Sequence, residues 1–138
     1  MSMLKLIVAT HVALFRATGG RFGSSMSGNK ILLLTTVGNR SGKPRTVPVM
    51  QFDEGAHRYV IGSFAGAPED PAWIKNLRKT PEVGVEVRGE RYDARARIVD
   101  AEERARVWKK VVAVAPGFAR YEAKAKGREI PVVELVRG

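Results

Sequence analysis

Val83-Gly84-Val85-Glu86-Val87-Arg88-Gly89-Glu90-Arg91-Tyr92-Asp93-Ala94-Arg95-Ala96-Arg97-Ile98 alternates apolar and polar side chains twice over. Val83, Val85 and Val87 fall on one face and Gly84, Glu86 and Arg88 on the other; beyond Gly89, Tyr92, Ala94, Ala96 and Ile98 alternate with Arg91, Asp93, Arg95 and Arg97. A period of two belongs to a strand with one dry and one wet face, and two such runs turned by a glycine form an antiparallel hairpin. The rest of the chain has to supply neighbours for that hairpin and cover for its dry face.

Upstream, Ile31-Leu32-Leu33-Leu34-Thr35-Thr36-Val37 is an apolar run of strand length, suited to a central strand buried on both faces. Gly38-Asn39-Arg40-Ser41-Gly42-Lys43-Pro44 turns the chain into a second strand, Arg45 to Phe52, in which Pro48 requires an edge or a bulge. After the turn Asp53-Glu54-Gly55-Ala56, residues His57 to Phe64 read as a third strand. Asp70 as N-cap and Pro71 at the first helical position open a helix through Lys79 with Trp73, Ile74 and Leu77 inward.

Downstream, Asp100-Ala101-Glu102-Glu103 reads as a capping box for a helix that buries Val107, Trp108, Val111 and Val112, with Glu102 and Arg106 paired outside. Pro116-Gly117 interrupts it, a short helix is expected from Tyr121 to Lys126, and Ile130 to Val136 closes the chain as a strand. At the other end, Leu4, Ile7, Val8, His11, Leu14 and Phe15 form the stripe of an amphipathic helix over residues 2 to 17, expected to cover one side of the sheet. Residues 21 to 30 read as a linker. Six strands in antiparallel order with flanking helices make an α+β fold around an antiparallel sheet or small barrel, one domain from 1 to 138.

The composition narrows the chemistry. With no cysteine among 138 residues there is neither a disulfide nor a cysteine nucleophile, and two histidines, His11 and His57, are too few for a His/Cys metal centre. A Ser-His-Asp hydrolase would have to use one of those two. Twenty-four Lys and Arg against fourteen Asp and Glu give +10, and +7 of it precedes the first carboxylate, Asp53. Such an imbalance attracts a polyanion: nucleic acid, an anionic membrane surface or a phosphorylated small molecule. The apolar stretches are too short to span a bilayer, and the chain reads as cytoplasmic.

Val37 to Arg45 concentrates glycines, a serine and cations without a carboxylate. Glycine-turn N–H groups beside Arg and Lys suit a phosphate or carboxylate, although a basic turn can equally be solvated surface. Ser63 ends a strand beside small residues that let a flat ligand approach the backbone, or that simply allow the turn. Trp73 and Asn76, three apart, share one side of their helix and either line a pocket or pack and cap.

Taken together, Leu33 to Pro48, Gly66-Ala67-Pro68 through Pro71-Ala72-Trp73 to Asn76-Leu77, Pro81-Glu82-Val83, Glu102 to Ala105 and Arg128 to Val133 resemble the deazaflavin-dependent nitroreductase family over residues 11 to 136. The resemblance implies an antiparallel split β-barrel related to FMN-binding flavin reductases. It also implies an oxidoreductase using reduced coenzyme F-420, an 8-hydroxy-5-deazaflavin whose tail bears a phosphate, a lactyl group and glutamates, with the hydride passing to a planar electron-poor acceptor such as a quinone, enone lactone or nitroaromatic. On this reading Asn39, Arg40, Ser41, Lys43 and Arg45 hold the tail, and Pro48, Met50, Ser63, Ala65, Gly66, Trp73 and Asn76 line the deazaflavin and inner tail. Ser63 orients the acceptor. Tyr121, the one hydroxyl kept where the family carries three tyrosines, either donates the proton, since a phenol holds its proton at neutral pH, or only covers the last strand with its ring.

Two departures stand out. Ser63-Phe64-Ala65-Gly66 replaces the family's Ser-Lys-Gly-Gly and removes a cation, and Ala115 and Phe118 stand where tyrosines are common. The alternatives are an FMN enzyme or a non-catalytic carrier of a flavin, deazaflavin or lipid on the same barrel. Nucleic-acid binding would rest on the Arg91, Arg95 and Arg97 face alone and is not expected. Peripheral membrane contact through the N-terminal helix is compatible with a lipid-soluble acceptor.

Overall fold

The computed structural model describes residues 3–18, 25–26, 29–63, 69–125 and 129–138. Helix α1 (Met3–Ala17) precedes strands β1 (Ser25–Met26), β2 (Asn29–Val37), β3 (Pro44–Glu54) and β4 (His57–Ile61). Helix α2 (Ala72–Lys79) leads to the hairpin β5 (Glu82–Val87) and β6 (Glu90–Ile98), then to α3 (Ala101–Val114), α4 (Gly117–Lys124) and β7 (Val132–Arg137). The strands run in the order β1-β2-β3-β4-β7-β6-β5, and a further pairing of β2 with β5 closes six of them into an antiparallel barrel.

Closure depends on β2. It pairs with β3 from Ile31↔Met50 to Val37↔Pro44 and with β5 through Leu34↔Val85, so it has neighbours on both sides and its apolar run is buried throughout Ile31 to Leu34. Alternation then splits the side chains. Leu32, Leu34, Val60, Val83, Val85, Ala94, Ala96, Val133 and Leu135 fill the barrel, and Trp73, Ile74 and Leu77 of α2 pack into the same core. Tyr59, Ile61 and Val132 face outward and are covered by Val107, Val111, Ala115 and Phe118 of α3 and α4. Gly62 marks where α2 and the chain before β7 meet: a Cβ there would lie 2.7 Å from Ile74 and 2.9 Å from Pro131. Pro48 has a strand on one side only, because β3 pairs with β4 only from Gln51 onward.

Several local expectations need correction. Pro71, extended at φ −64° and ψ 157°, is itself the N-cap of α2, while the Asp70 carboxylate accepts from Arg78 at 2.6 Å. Asp100 does cap α3, accepting from Glu103 N–H at 2.9 Å, but the Glu103 carboxylate turns to Arg97 and Tyr59. Arg106 reaches Glu54 on β3 rather than Glu102, because Glu54 also draws Lys110 and so sits between two cations. Helix α4 begins at Gly117, four residues before the expected start, since Pro116 serves as an N-cap and burial of Phe118 adds a turn. Within the expected linker, Ser25–Met26 pairs with Asn29–Lys30.

Helix α1 is amphipathic in a different sense from the single stripe expected. Phe15 is buried, and Arg16 makes a double hydrogen bond to Glu86 at 2.8 and 3.0 Å, anchoring the helix across β5. Ile7 and Leu14 from the expected stripe, with Met3 and Leu6, remain 44–72% exposed. The helix contacts the barrel chiefly along β3, so one narrow face is enough to seat it and the second apolar face stays in solvent.

On β4, His57 Nδ1 lies 2.6 Å from Glu134, which also accepts from Arg97. Burial opposes ionisation of Glu134, yet the hydrogen bonds from His57 and Arg97 outweigh it and hold the carboxyl below its ordinary range. Glu54 is held low in the same way by Lys110 and Arg106. A depressed carboxylate stabilises the fold above its unfolded pKa, and that contribution is lost as pH falls through the folded value. Unfolding midpoints are therefore expected to be flat from neutral pH down to about pH 5 and to fall below about pH 4. Glu134→Gln is expected to lower the neutral midpoint and to flatten the acid limb, and an acid limb as steep as the parent's would assign the loss to other carboxylates.

Candidate functional site

The cationic segment is a closed turn between β2 and β3. Gly38 N–H donates to Lys43 C=O at 2.8 Å and Gly42 N–H to Gly38 C=O at 2.9 Å, while Gly42 holds φ +70°. That left-handed conformation favours glycine. Ser41 Oγ accepts from Lys43 N–H at 3.2 Å and from Arg45 at 3.4 Å, and it packs so close to Gly38 that a Cβ there would meet it at 2.6 Å. Arg40, Ser41, Lys43 and Arg45 are exposed, and none of the three cations forms an ion pair among the described residues.

On β6 the positive charge is met. Arg91 pairs with Glu86 at 3.7 Å, Arg95 with Glu82 at 3.6 Å and Arg97 with Glu134 at 2.5 Å. The arginine face of β6 is thus laced with carboxylates, whereas the turn groups three cations with no ion pair among the described residues; Lys30, Arg88, Lys109, Arg120 and Lys124, scattered over other elements, also have none. Arg40, Lys43 and Arg45, together with the N–H groups of Arg40 and Ser41, for which there is no acceptor among the described residues, form a donor set for a phosphate or carboxylates.

An outward-facing apolar strip continues from the turn. Register and alternation put Pro48 and Met50 opposite Leu33 and Ile31 on the outer face of the barrel, away from Val47 and Val49, which pack inward. On one side lies α1, with Arg16 reaching Thr46 at 3.5 Å; on the other, Met50 and Phe52 meet the cluster under α3 and α4. Tyr121 sits at the margin of that cluster, partly buried, its ring edge-on to Phe118 at 5.3 Å and 76°. Ala115 and Phe118 are buried inside it, so of the three positions Tyr121 alone keeps a partly open face. Ser63, 9% exposed, follows β4 one step past Ile61 on the alternation that carries Tyr59 and Ile61 outward.

The expected set is therefore partly gathered. Asn39, Arg40, Ser41, Lys43 and Arg45 share one turn, and Pro48 and Met50 share one face with the cluster that holds Tyr121. Trp73 lies in the barrel core at 8% exposure, and Asn76 at 4% spends both ends of its amide on the protein, accepting from Asn39 N–H at 2.9 Å and donating to Thr36 Oγ at 3.0 Å. Ala65 and Gly66 lie outside the described residues. Two participants escaped the sequence reading: Thr36, hidden in an apolar run, and Lys79, a last-turn cation of α2 that donates to Asn39 C=O at 2.9 Å. A polar residue in the otherwise apolar β2 run was the available signal for the first, and the second left none.

A closed antiparallel barrel with helices on its outer face, and a cationic turn beside an outward-facing apolar strip, mark a split-barrel fold with a donor set for an anionic group. Comparison with known proteins agrees. The family model described as F-420H(2)-dependent quinone reductase matches residues 7–136. The F-420H(2)-dependent quinone reductase Rv1261c of Mycobacterium tuberculosis is 32% identical over 135 residues, covering 95% of this chain and 90% of its own. Among solved structures, an F-420-H2 dependent reductase (FDR-A) is 37% identical with a TM-score of 0.69, covering 76% of this chain and 92% of its own. A domain-swapped dimer is 31% identical with a TM-score of 0.72, covering 97% and 99%. The chain belongs to the F-420H(2)-dependent quinone reductase family. It is an F-420-dependent reductase, an enzyme rather than a carrier.

Proposed function

We propose that the protein reduces a quinone with F-420H2, the turn from Asn39 to Arg45 holding the cofactor's tail and the strip of Pro48 and Met50 its ring. The observation that carries this is the grouping of Arg40, Lys43 and Arg45, none of them in an ion pair among the described residues, on one carboxylate-free turn next to the outward-facing Pro48 and Met50. When bound, reduced F-420 supplies the hydride. The chain's part is to bind and orient: Arg40, Lys43 and Arg45 neutralise the tail with the Ser41 hydroxyl beside them, Met50 and Pro48 support the ring, and Ser63 orients the acceptor. Tyr121 holds a phenolic proton beside the acceptor, and the aromatic wall of Phe118 and Phe52 excludes water. Steady-state reduction of a water-soluble quinone by F-420H2, compared with FMNH2, tests the assignment. Turnover with FMNH2 equal to that with F-420H2 would count against it.

The second apolar face of α1 supports a further reading, peripheral contact with a membrane that holds a lipid-soluble quinone. Met3, Leu6, Ile7 and Leu14 are exposed, α1 contains no acidic residue, and among the described residues no helix is long and apolar enough to cross a bilayer. Leu6→Ser with Ile7→Ser is expected to abolish co-sedimentation with vesicles containing anionic lipid. It should change stability by less than about 0.5 kcal/mol and leave turnover of a soluble quinone intact. If the variant instead shifts the protein from dimer to monomer on a sizing column, a second copy covers that face.

A further inference from the structure

Among the described residues, α2 holds the cationic turn by hydrogen bonds through one residue, Asn39. Its N–H donates to Asn76 Oδ1 at 2.9 Å and its C=O accepts from Lys79 Nζ at 2.9 Å. Asn76 is itself fixed by donating to Thr36 Oγ at 3.0 Å, and Thr36 and Asn76 are 1% and 4% exposed, so neither is open to a ligand. The C=O of Asn39 and the N–H of Arg40 belong to one planar trans peptide and point in opposite directions. By drawing that C=O toward α2, Lys79 turns the N–H of Arg40 away from α2, and among the described residues it has no protein acceptor.

We propose that Thr36, Asn76 and Lys79 are positioning residues that preset the turn for an anionic tail by aiming the Arg40 N–H outward. This rests on the assignment of the F-420 tail to the turn. Without the clip the turn samples orientations in which that N–H no longer faces the anion, and binding has to restore the order at the expense of affinity. The effect is confined to the tail, because nothing in the clip reaches Pro48 or Met50.

Fluorescence titrations with F-420 and with the same deazaflavin bearing only its ribityl chain separate the possibilities. Thr36→Val, which keeps the shape and removes the hydroxyl, is expected to weaken F-420 binding roughly fivefold or more and to leave the tailless ligand unchanged, with Thr36→Ser restoring the parent value. The salt dependence should match the parent's, since no charge is removed. Lys79→Met should weaken F-420 likewise, and Lys79→Gln, which keeps a donor for Asn39 C=O, should recover most of the loss. F-420 binding unchanged in Thr36→Val, or both ligands weakened equally, would overturn the proposal. So would Lys79→Gln as weak as Lys79→Met, since the lysine would then act as a charge on the ligand. Should Thr36→Val not fold, the two Lys79 variants, on an exposed side chain, carry the same comparison. A parent that binds both ligands equally would overturn the tail assignment itself; a parent that prefers F-420 while Thr36→Val is silent overturns only the clip.

Discussion

Replacing Arg40 and Lys43 together by alanine is expected to raise the dissociation constant for F-420 at least tenfold, about 1.4 kcal/mol. Both side chains are exposed and neither forms an ion pair among the described residues, so each is available to the tail without first breaking a contact within the protein. Exposed charge pairs contribute up to about 1 kcal/mol each, which puts two of them at tenfold or somewhat more. Screening adds an independent check. Raising ionic strength from about 0.01 to 0.15 M shortens the Debye length from about 30 to 8 Å, so the parent should lose affinity over that range and the double variant much less. FMN, with a single phosphate and no glutamates, should bind more weakly than F-420 to the parent and should distinguish the two proteins less. An unchanged constant for F-420, measured by fluorescence titration, would place the tail elsewhere on the barrel. Ser41 and Arg45 stay in place in this variant, as does the backbone N–H of residue 40, so residual binding is expected.

Tyr121→Phe is expected to lower quinone turnover roughly tenfold or more with cofactor affinity little changed. Phenylalanine preserves the edge-on contact with Phe118 and the packing at the margin of the α3–α4 cluster, so only the hydroxyl is lost. Among the other proton-bearing groups, His57 is engaged with Glu134 beyond the far end of β4 from Ser63. The Tyr59 hydroxyl is spent on Glu103 at 2.9 Å, and burial followed by that bond raises its pKa. Because the proton is needed only when charge develops on the acceptor, the loss should appear in kcat and kcat/KM alike rather than in KM alone. Full activity in Tyr121→Phe would make solvent the proton source and leave Tyr121 as cover for the cluster.

How far the sequence carries depends on the range of the interaction. The period-two alternation of Val83 to Ile98, the apolar run Ile31 to Leu34 and the Asp100 cap express backbone geometry over a few residues and appear where they were read, except that Ile98 is exposed at the end of the dry face and Glu86 is buried on the other face, where it accepts from Arg16. Each hairpin follows from its own turn, with Gly55 at φ +59° and Gly89 at φ +78°. The clustering of cations before Asp53 was likewise visible, and with it the expectation of an anionic ligand.

The tertiary structure decided which surfaces meet. Nothing local to β2 or β5 specifies that Leu34 lies opposite Val85, yet that pairing closes the barrel and separates an interior from an outer face. Only then do Pro48 and Met50 face outward, with Tyr121, some seventy residues away, at the margin of the cluster that Met50 joins. The same holds for the partners of polar groups. Arg106 prefers Glu54 to its helical neighbour, Asn76 faces Asn39 and Thr36 rather than the outer strip, and α1 buries one apolar face and exposes another. Periodicity records that a side chain leaves the solvent or carries a charge. What it meets there is set by long-range packing, because burial free energy depends on area and not on the identity of the neighbour, whereas hydrogen bonds and ion pairs depend on distance and direction that only the assembled barrel fixes.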